Sequence, residues 1–217
     1  GKKILKYSIP FIIISVIYNL YNTVDMILVS RTMGDILGYP SNVVESVVSV
    51  FTTWGVKLNN IILAVITGLT TSLIPNIVSS FVSGNKKDVD NKFNKAIQCV
   101  LLIMVPATIF LSFLAEPVWT LFYGNSEYGS EVYKVFVFSA LFGGLYSIVV
   151  NTLQGLSKYK LVITTVLIGL VMNTVLDVPM MLFAEKLGCN VSHGAIWAAI
   201  MGYSTSILIS LIVLRQK

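Results

Sequence analysis

The chain has 217 residues, of which 55% are hydrophobic and 12% charged, and its mean hydropathy is +0.82. An ordinary soluble domain is about 25% charged, so this composition excludes a water-soluble globular protein and indicates an integral membrane protein. The formal charge of +5 does not indicate a nucleic-acid partner, because the lysines do not form one continuous basic face.

Six apolar runs reach or approach the roughly 20 residues that a helix needs to cross a hydrocarbon core. A membrane-spanning β-barrel would alternate apolar and polar residues, and no stretch of this chain keeps that rhythm for long. The predicted fold class is therefore all-α, with residues 1–217 forming a single membrane-embedded lobe. The predicted spans are residues 9–30, 58–82, 96–114, 132–154, 161–184 and 195–214.

The segment between the first two spans has an amphipathic pattern. Val43, Val47 and Phe51 recur at helical spacing, with polar residues such as Asn42 and Glu45 among them. This pattern is typical of a helix on the membrane surface, and it is equally compatible with a more polar extension of the second span.

Basic residues are distributed unevenly between the two sets of loops. Four of the fifteen belong to one set of ends: Arg31, Lys57, Lys134 and Lys186. The other eleven are Lys2, Lys3, Lys6, Lys86, Lys87, Lys92, Lys95, Lys158, Lys160, Arg215 and Lys217. Because cytoplasmic loops are enriched in lysine and arginine, the larger set and both chain termini are predicted to be cytoplasmic.

Residues typical of catalysis are sparse. The chain has one histidine, His193, and no metal-ligand cluster, nucleophile motif or phosphate-binding loop. We therefore expect no enzyme activity, no cofactor and no metal site. Cys99 and Cys189 are predicted to be free thiols.

Polar residues inside the spans are the better functional candidates, because an ionisable group at membrane depth is costly and usually faces a cavity or a partner. In the first span Asn19, Asn22 and Asp25 follow one another at intervals of three, close to one helical stripe, with Asp25 near the outer boundary. Such a stripe is compatible with hydrogen bonding between helices and with the lining of a wet cavity.

The second and fifth spans add further polar groups. Lys57, Asn59 and Asn60 cluster at the outer end of the second span, where the lysine could attract a phosphate or extend to lipid headgroups. The fifth span carries Asn173 and Asp177 on one face, followed by Pro179, which is expected to kink or end the helix.

Glycines in the later spans are predicted to allow close helix packing and bending. They are Gly143, Gly144, Gly155, Gly169 and Gly202.

Several motifs resemble those of the family that includes the lipid II flippases, stage V sporulation protein B and the polysaccharide-unit exporters. The resemblance is carried by "TTSLIP" before the basic loop at 83–92, by Pro106 in the following helix and by "LAEPVWTLFYG" at 114–124. "LQGLSKYK" at 153–160 resembles a later cytoplasmic turn of the family, and "IPFIIISVIYNLYNTVD" at 9–25 resembles the first helix of its second half.

The resemblance implies a lobe of the multidrug, oligosaccharidyl-lipid and polysaccharide (MOP) exporter superfamily, whose members typically have two six-helix lobes and two further helices. This chain resembles the carboxy-terminal lobe, so an amino-terminal six-helix lobe is an implied partner, together with membrane lipids. Lys57 falls near a cavity-facing basic position of those flippases, and Asn59 and Asn60 stand where the family has an acid.

The implied function is the flipping of a polyprenyl-pyrophosphate-linked glycan, either lipid II or a polysaccharide repeat unit, across the cytoplasmic membrane by alternating access. The expected substrate contacts are Lys57, Asn59, Asn60, Asn19 and Asn22.

Two alternatives remain. A cation-coupled multidrug exporter of the same superfamily would bind a proton or sodium ion at Asp25 or Asp177. A non-transporting membrane scaffold would bind a partner through the glycine-rich helices.

Overall fold

The computed structural model describes residues 2–126 and 128–215, with the side chains of residues 2–7 and 215 outside that description. Within these ranges the chain is helical, and its helices are joined by short turns. The helices are α1 (Lys2–Arg31), α2 (Ser41–Ser49), α3 (Gly55–Val82), α4 (Lys86–Phe113), α5 (Ala115–Tyr123), α6 (Gly129–Gly155), α7 (Tyr159–Lys186) and α8 (Ser192–Arg215).

Among the described residues, six helical segments are long and apolar enough to cross a membrane, which confirms the predicted all-α membrane fold. The second of them runs without interruption from Ser41 to Val82, because a π-helical turn at Val50–Trp54 joins α2 to α3. The amphipathic segment is thus an extension of the second span. A similar π-helical turn at Thr32–Ile36 extends α1.

Two local features differ from the simplest expectation. The short helix α5 follows α4 directly and was not predicted; it buries Ala115 and Trp119. Pro179 does not end the fifth span, because α7 continues to Lys186.

The turns alternate between two ends of the lobe. The end where α3 meets α4 and α6 meets α7, called the basic end here, carries Lys86, Lys87, Lys92, Lys95, Lys158 and Lys160. The predicted positive charges at Lys2, Lys3, Lys6, Arg215 and Lys217 lie on side chains outside the described residues. That the basic end faces the cytoplasm stays a prediction.

The α3–α4 hairpin at the basic end is fixed by a polar network. The Asn85 side chain accepts a hydrogen bond from the Asp88 backbone N–H at 3.1 Å, which caps α4. Lys92 Nζ lies 2.8 Å from Asp88 and donates to the buried Ser80 hydroxyl at 2.7 Å, and Ser80 donates to Asp88 at 2.5 Å. Gly84 completes the turn with a φ of +74°, a conformation that glycine adopts without strain.

Helices α6, α7 and α8 form the core of the lobe. Where α7 packs against α8, a Cβ on Gly169 would lie 2.7 Å from the Gly202 carbonyl oxygen and would overlap Ser206 Oγ. The Ser206 hydroxyl donates to the Thr165 carbonyl across the same interface at 2.8 Å. The packing role predicted for Gly169 and Gly202 is confirmed.

The remaining predicted packing glycines behave unequally. Gly144 and Gly155 lie against side chains of neighbouring helices. Gly143 was predicted to do the same, and that prediction is wrong, because a Cβ there would meet open space.

Both cysteines are free, as predicted.

Candidate functional site

A buried carboxyl cluster lies between α1 and α7, formed by Asp25, Asn173 and Asp177. Asn173 and Asp177 have no exposed surface, and Asp25 is 9% exposed. Asn173 Nδ2 donates to Asp25 Oδ1 at 2.5 Å, across 148 positions of sequence. The Asp177 carboxyl group lies beside that of Asp25, so two acids share one buried space.

The cluster is rich in oxygen atoms that lack a donor. Both carboxylate oxygens of Asp177 and the amide oxygen of Asn173 are buried and accept no hydrogen bond from the described residues. A buried charge without a partner is strongly unfavourable, and two neighbouring carboxylates add repulsion. A proton or a hard cation such as Na⁺, which prefers oxygen ligands, would supply the missing counter-charge.

The three residues of the carboxyl cluster come from one face of α7 and one face of α1. On α7 the spacing of four residues puts Asn173 and Asp177 on the same side. On α1 Asp25 belongs to the buried face, together with Tyr21 and Val29. The sequence of either helix alone does not predict that Asp25 meets Asn173 and Asp177 at one site.

The predicted stripe on α1 is divided by the structure. Asn19 and Asn22 are exposed, whereas Asp25 faces the inside of the lobe. At 100° per residue, six positions amount to 240° of rotation, which separates Asp25 from Asn19. The expected grouping of all three residues on one stripe is therefore wrong. Asp25 makes a hydrogen bond to another helix, whereas Asn19 and Asn22 are exposed.

A cavity of about 320 Å³ opens between the first half of α1 and the last half of α6, and we call it the uncharged groove. It lies toward the basic end, and none of the described residues that line it carries a charge. Its polar side chains are Ser15, Tyr18, Asn19, Tyr146, Ser147, Asn151 and Gln154, with Phe11, Ile14 and Val150 as its apolar wall.

A second cavity, of about 660 Å³, lies at the opposite end between α1, its π-helical extension and α2. We call it the outer cavity only because it lies away from the basic end. In contrast to the groove, its lining includes charged residues, namely Arg31, Asp35 and Glu45. The two cavities are connected along α1 by exposed residues that include Asn22.

The predicted contacts on α3 are dispersed. Lys57 is exposed, with Nζ 4.6 Å from the centre of the Trp54 ring, a cation–π geometry. Asn60 is also exposed. Asn59 is 4% exposed, and its amide donates to Ser139 Oγ at 3.3 Å on α6, so it ties α3 to α6 inside the lobe. Neither the groove nor the outer cavity is lined by these three residues.

The surroundings of Lys57 are aromatic. Trp54 packs against Tyr123 of α5 with ring centres 4.8 Å apart, and the Tyr123 hydroxyl donates to the Trp54 carbonyl at 3.1 Å. Partial burial raises the pKa of Tyr123, which keeps the hydroxyl a neutral donor. Lys57 is thus held at the edge of an aromatic cluster that joins α3 to α5.

Four tyrosines connect the groove to the neighbourhood of the carboxyl cluster. Tyr18 stacks on Tyr146 at 6.3 Å, Tyr146 contacts Tyr203 at 5.2 Å, and Tyr203 stacks on Tyr21 at 5.4 Å. Tyr21 lies one helical turn from Asp25, so the chain of rings spans both sites.

Several of these residues were not singled out as site residues from sequence. The groove side of α6 carries Ser147, Asn151 and Gln154 at intervals of four and three, a polar stripe within an apolar helix that could have indicated the groove. Tyr203 carries no such signal, because an isolated tyrosine in a span is common at membrane interfaces.

The fold and these sites define a multi-pass helical membrane protein with a buried carboxyl cluster and polar cavities along its first helix. A family model, MatE, matches residues 10–178, and the chain belongs to the MatE family.

The chain is similar to one curated protein and to several solved structures over nearly its whole length. The chain is 28% identical to the lipid II flippase MurJ of Bacillus subtilis (strain 168) over 99% of its own length and 39% of that protein. It superimposes on an outward-facing multidrug resistance MATE transporter of the MOP superfamily with a TM-score of 0.73 and 24% identity, covering 99% of this chain and 45% of the other. A MOP superfamily transporter from Pyrococcus furiosus gives a TM-score of 0.72 at 22% identity, with 98% and 44% coverage.

The chain therefore spans less than half the length of these relatives. The solved structures establish its fold, that of one transporter lobe.

Proposed function

We propose that this chain is one lobe of a flippase that moves a polyprenyl-pyrophosphate-linked glycan, lipid II or a polysaccharide repeat unit, across the cytoplasmic membrane. The observation that carries the proposal is the identity of 28% with a lipid II flippase, maintained over 99% of the chain. The open polar surface of α1 supports it, because a large hydrophilic headgroup needs such a surface to cross a membrane.

The path for the headgroup follows α1. One polar line runs along α1 from the uncharged groove to the outer cavity, formed by the exposed residues Ser15, Asn19, Asn22 and Ser30 at intervals of four, three and eight residues. In alternating access the headgroup enters this line from one side and leaves to the other, while the prenyl chain stays in lipid.

Lys57 is the proposed contact for pyrophosphate, with Asn60, Asn19 and Asn22 as neutral contacts. A lysine offers a strong point charge to phosphate, and Lys57 is exposed near the start of α3. Asn59 is not retained as a substrate contact, since its amide is engaged inside the lobe.

A second six-helix lobe is the proposed partner. The chain matches 39% of the flippase and 45% of the transporter, and α1 turns its polar line away from the lobe's own core. We assign the chain to the carboxy-terminal half, with the basic end toward the cytoplasm.

The carboxyl cluster is the proposed site of ion coupling. Beside Asp25, the Asp177 carboxyl group and the Asn173 amide oxygen present unpaired acceptors that a proton or Na⁺ would satisfy. Binding there would bias the arrangement of α1 against α7, which would couple an ion gradient to the cycle.

A cation-coupled multidrug exporter is the second candidate, and the same buried cluster favours it. The two functions differ in their dependence on Lys57. Lys57→Ala should reduce flipping, whereas drug export should tolerate that change. Both functions would depend on Asp25 and Asp177, since both would be coupled to an ion at the same cluster.

The deciding experiment uses cells depleted of their own lipid II flippase. The chain is expressed with and without an amino-terminal lobe from a related flippase, and growth and outward-facing lipid II are measured. Rescue that requires the second lobe supports the proposal. Absence of rescue, with both lobes detected in the membrane, refutes lipid II as substrate, and export of a drug by the same pair would establish the second candidate.

A further inference from the structure

The polar lining of the uncharged groove has a composition suited to one part of the headgroup. Asn19 Nδ2 donates to the Ser15 carbonyl at 2.8 Å, and Asn151 Nδ2 donates to Ser147 Oγ at 3.1 Å. Each amide keeps its oxygen and its second N–H, and the Gln154 amide makes no hydrogen bond to a described residue. The groove thus presents donors and acceptors together, without formal charge.

From this balance we infer that the uncharged groove binds the hydroxylated sugar part of the substrate, apart from the pyrophosphate; the inference rests on the proposed function. A sugar hydroxyl donates and accepts at once, as the amides and hydroxyls of Asn151, Gln154 and Ser147 also do. The cavity volume of about 320 Å³ lies at the lower end of the range of small-ligand pockets, roughly 300–1,000 Å³.

Pyrophosphate does not suit the same surface. Its oxygens only accept hydrogen bonds and carry charge, so they require cations or several N–H donors. No lysine, arginine or histidine is among the described residues that line the groove. The amide and hydroxyl oxygens there would face phosphate oxygens with unfavourable electrostatics.

An aromatic wall supplies the other half of sugar recognition. Tyr18, 41% exposed, stacks on Tyr146 with ring planes 20° apart, which gives the groove a flat aromatic side. The C–H face of a sugar ring is apolar and packs on aromatic faces, while its hydroxyls point outward to polar groups. Polar side chains of α1 and α6 stand beside these rings.

The test compares two probes on the purified chain in lipid nanodiscs by isothermal titration calorimetry. One probe is a short-chain prenyl pyrophosphate bearing a disaccharide of N-acetylated hexoses, and the other is the same prenyl pyrophosphate without sugar. We expect the wild-type chain to bind the glycosylated probe about tenfold more tightly, the size of one or two net hydrogen bonds.

The variants Gln154→Leu and Asn151→Leu should each remove most of this preference and leave affinity for the sugarless probe unchanged. Gln98→Leu is the matched control, because Gln98 is an exposed glutamine on α4 outside the groove, and it should behave as wild type. Ser147→Ala is a milder change that should reduce the preference in part without a change in side-chain bulk.

Equal binding of the two probes by the wild-type chain overturns the inference and leaves the proposed function standing. A groove variant that loses affinity for both probes equally also overturns it. Binding of neither probe overturns the inference as well, while the rescue assay with both lobes decides the proposed function separately.

Discussion

Replacing Asp177 with leucine should stabilise the lobe when no coupling cation is available. Both carboxylate oxygens of Asp177 are buried without a donor, and a second acid, Asp25, lies beside them. A buried polar group left unpaired costs about 1–3 kcal/mol, and leucine of similar volume removes that cost. For a chain of this size each kcal/mol shifts Tm by about 2–4 °C, so the expected increase is roughly 2–12 °C.

The matched variant Asn173→Leu should act in the opposite direction. It removes the amide that donates to Asp25, so both acids of the cluster are left unpaired while the helix faces stay the same. We expect Tm to fall by a similar amount. The contrast between the two leucine variants separates the effect of the acid from the general effect of an apolar substitution between α1 and α7.

The assay is thermal unfolding of the purified chain in nanodiscs, in NaCl and in choline chloride at equal ionic strength. If Na⁺ is the counter-charge, wild-type Tm rises in NaCl and Asp177→Leu abolishes the rise. If a proton is the counter-charge, wild type is stabilised by acidification and Na⁺ has no effect. A lower Tm of Asp177→Leu in choline chloride would show that the acid is satisfied in the native lobe and would refute the reasoning.

Three further predictions concern other parts of the lobe. Lys57→Ala should reduce flipping in the two-lobe assay at least tenfold and Lys57→Arg should retain most of it; equal activity of the two variants removes the anion contact. Gly169→Ala should lower stability by about 1–3 kcal/mol because its Cβ overlaps α8, whereas Gly143→Ala, which meets open space, should not, as thermal unfolding will show. In a Cys99→Ser variant, the remaining Cys189 should react with a membrane-impermeant maleimide in intact cells. In a chain without its native cysteines, Lys87→Cys should react with the same reagent only after lysis. The reverse pattern would invert the proposed orientation.

The fold was largely predictable because its signals are local. An apolar run of about 20 residues identifies a membrane helix by length alone, and the structure places helices over all six predicted runs. The polar start of the second span was ambiguous, since Val43 and Val47 fit an amphipathic surface helix as well as an extension of a span. The π-helical turn that joins α2 to α3 has no sequence signature as clear as a proline or glycine.

The sites were less predictable because they are formed between helices. Asn173 and Asp177 were recognisable as a pair by their spacing, but nothing local indicates that Asp25 completes them. The orientation of α1 decides this: its face with Tyr21 and Val29 is buried, and Tyr21 stacks on Tyr203 of α8. Asn59 illustrates the reverse case, where a polar residue near a span end is engaged in packing.

The position of the two sites on one helix suggests how they act together in the proposed cycle. Asp25 lies on the buried face of α1, and Asn19, about one and two-thirds turns away, lies on the exposed face in the groove. Without a counter-charge the two acids repel, which favours separation of α1 from α7; with one, the Asp25–Asn173 contact is reinforced. Because a helix moves as a rigid element over so short a distance, a shift of α1 at Asp25 also displaces Asn19 and Tyr18 relative to α6. Ion binding inside the lobe would thereby change the width of the groove on its surface, with no contact between ion and sugar.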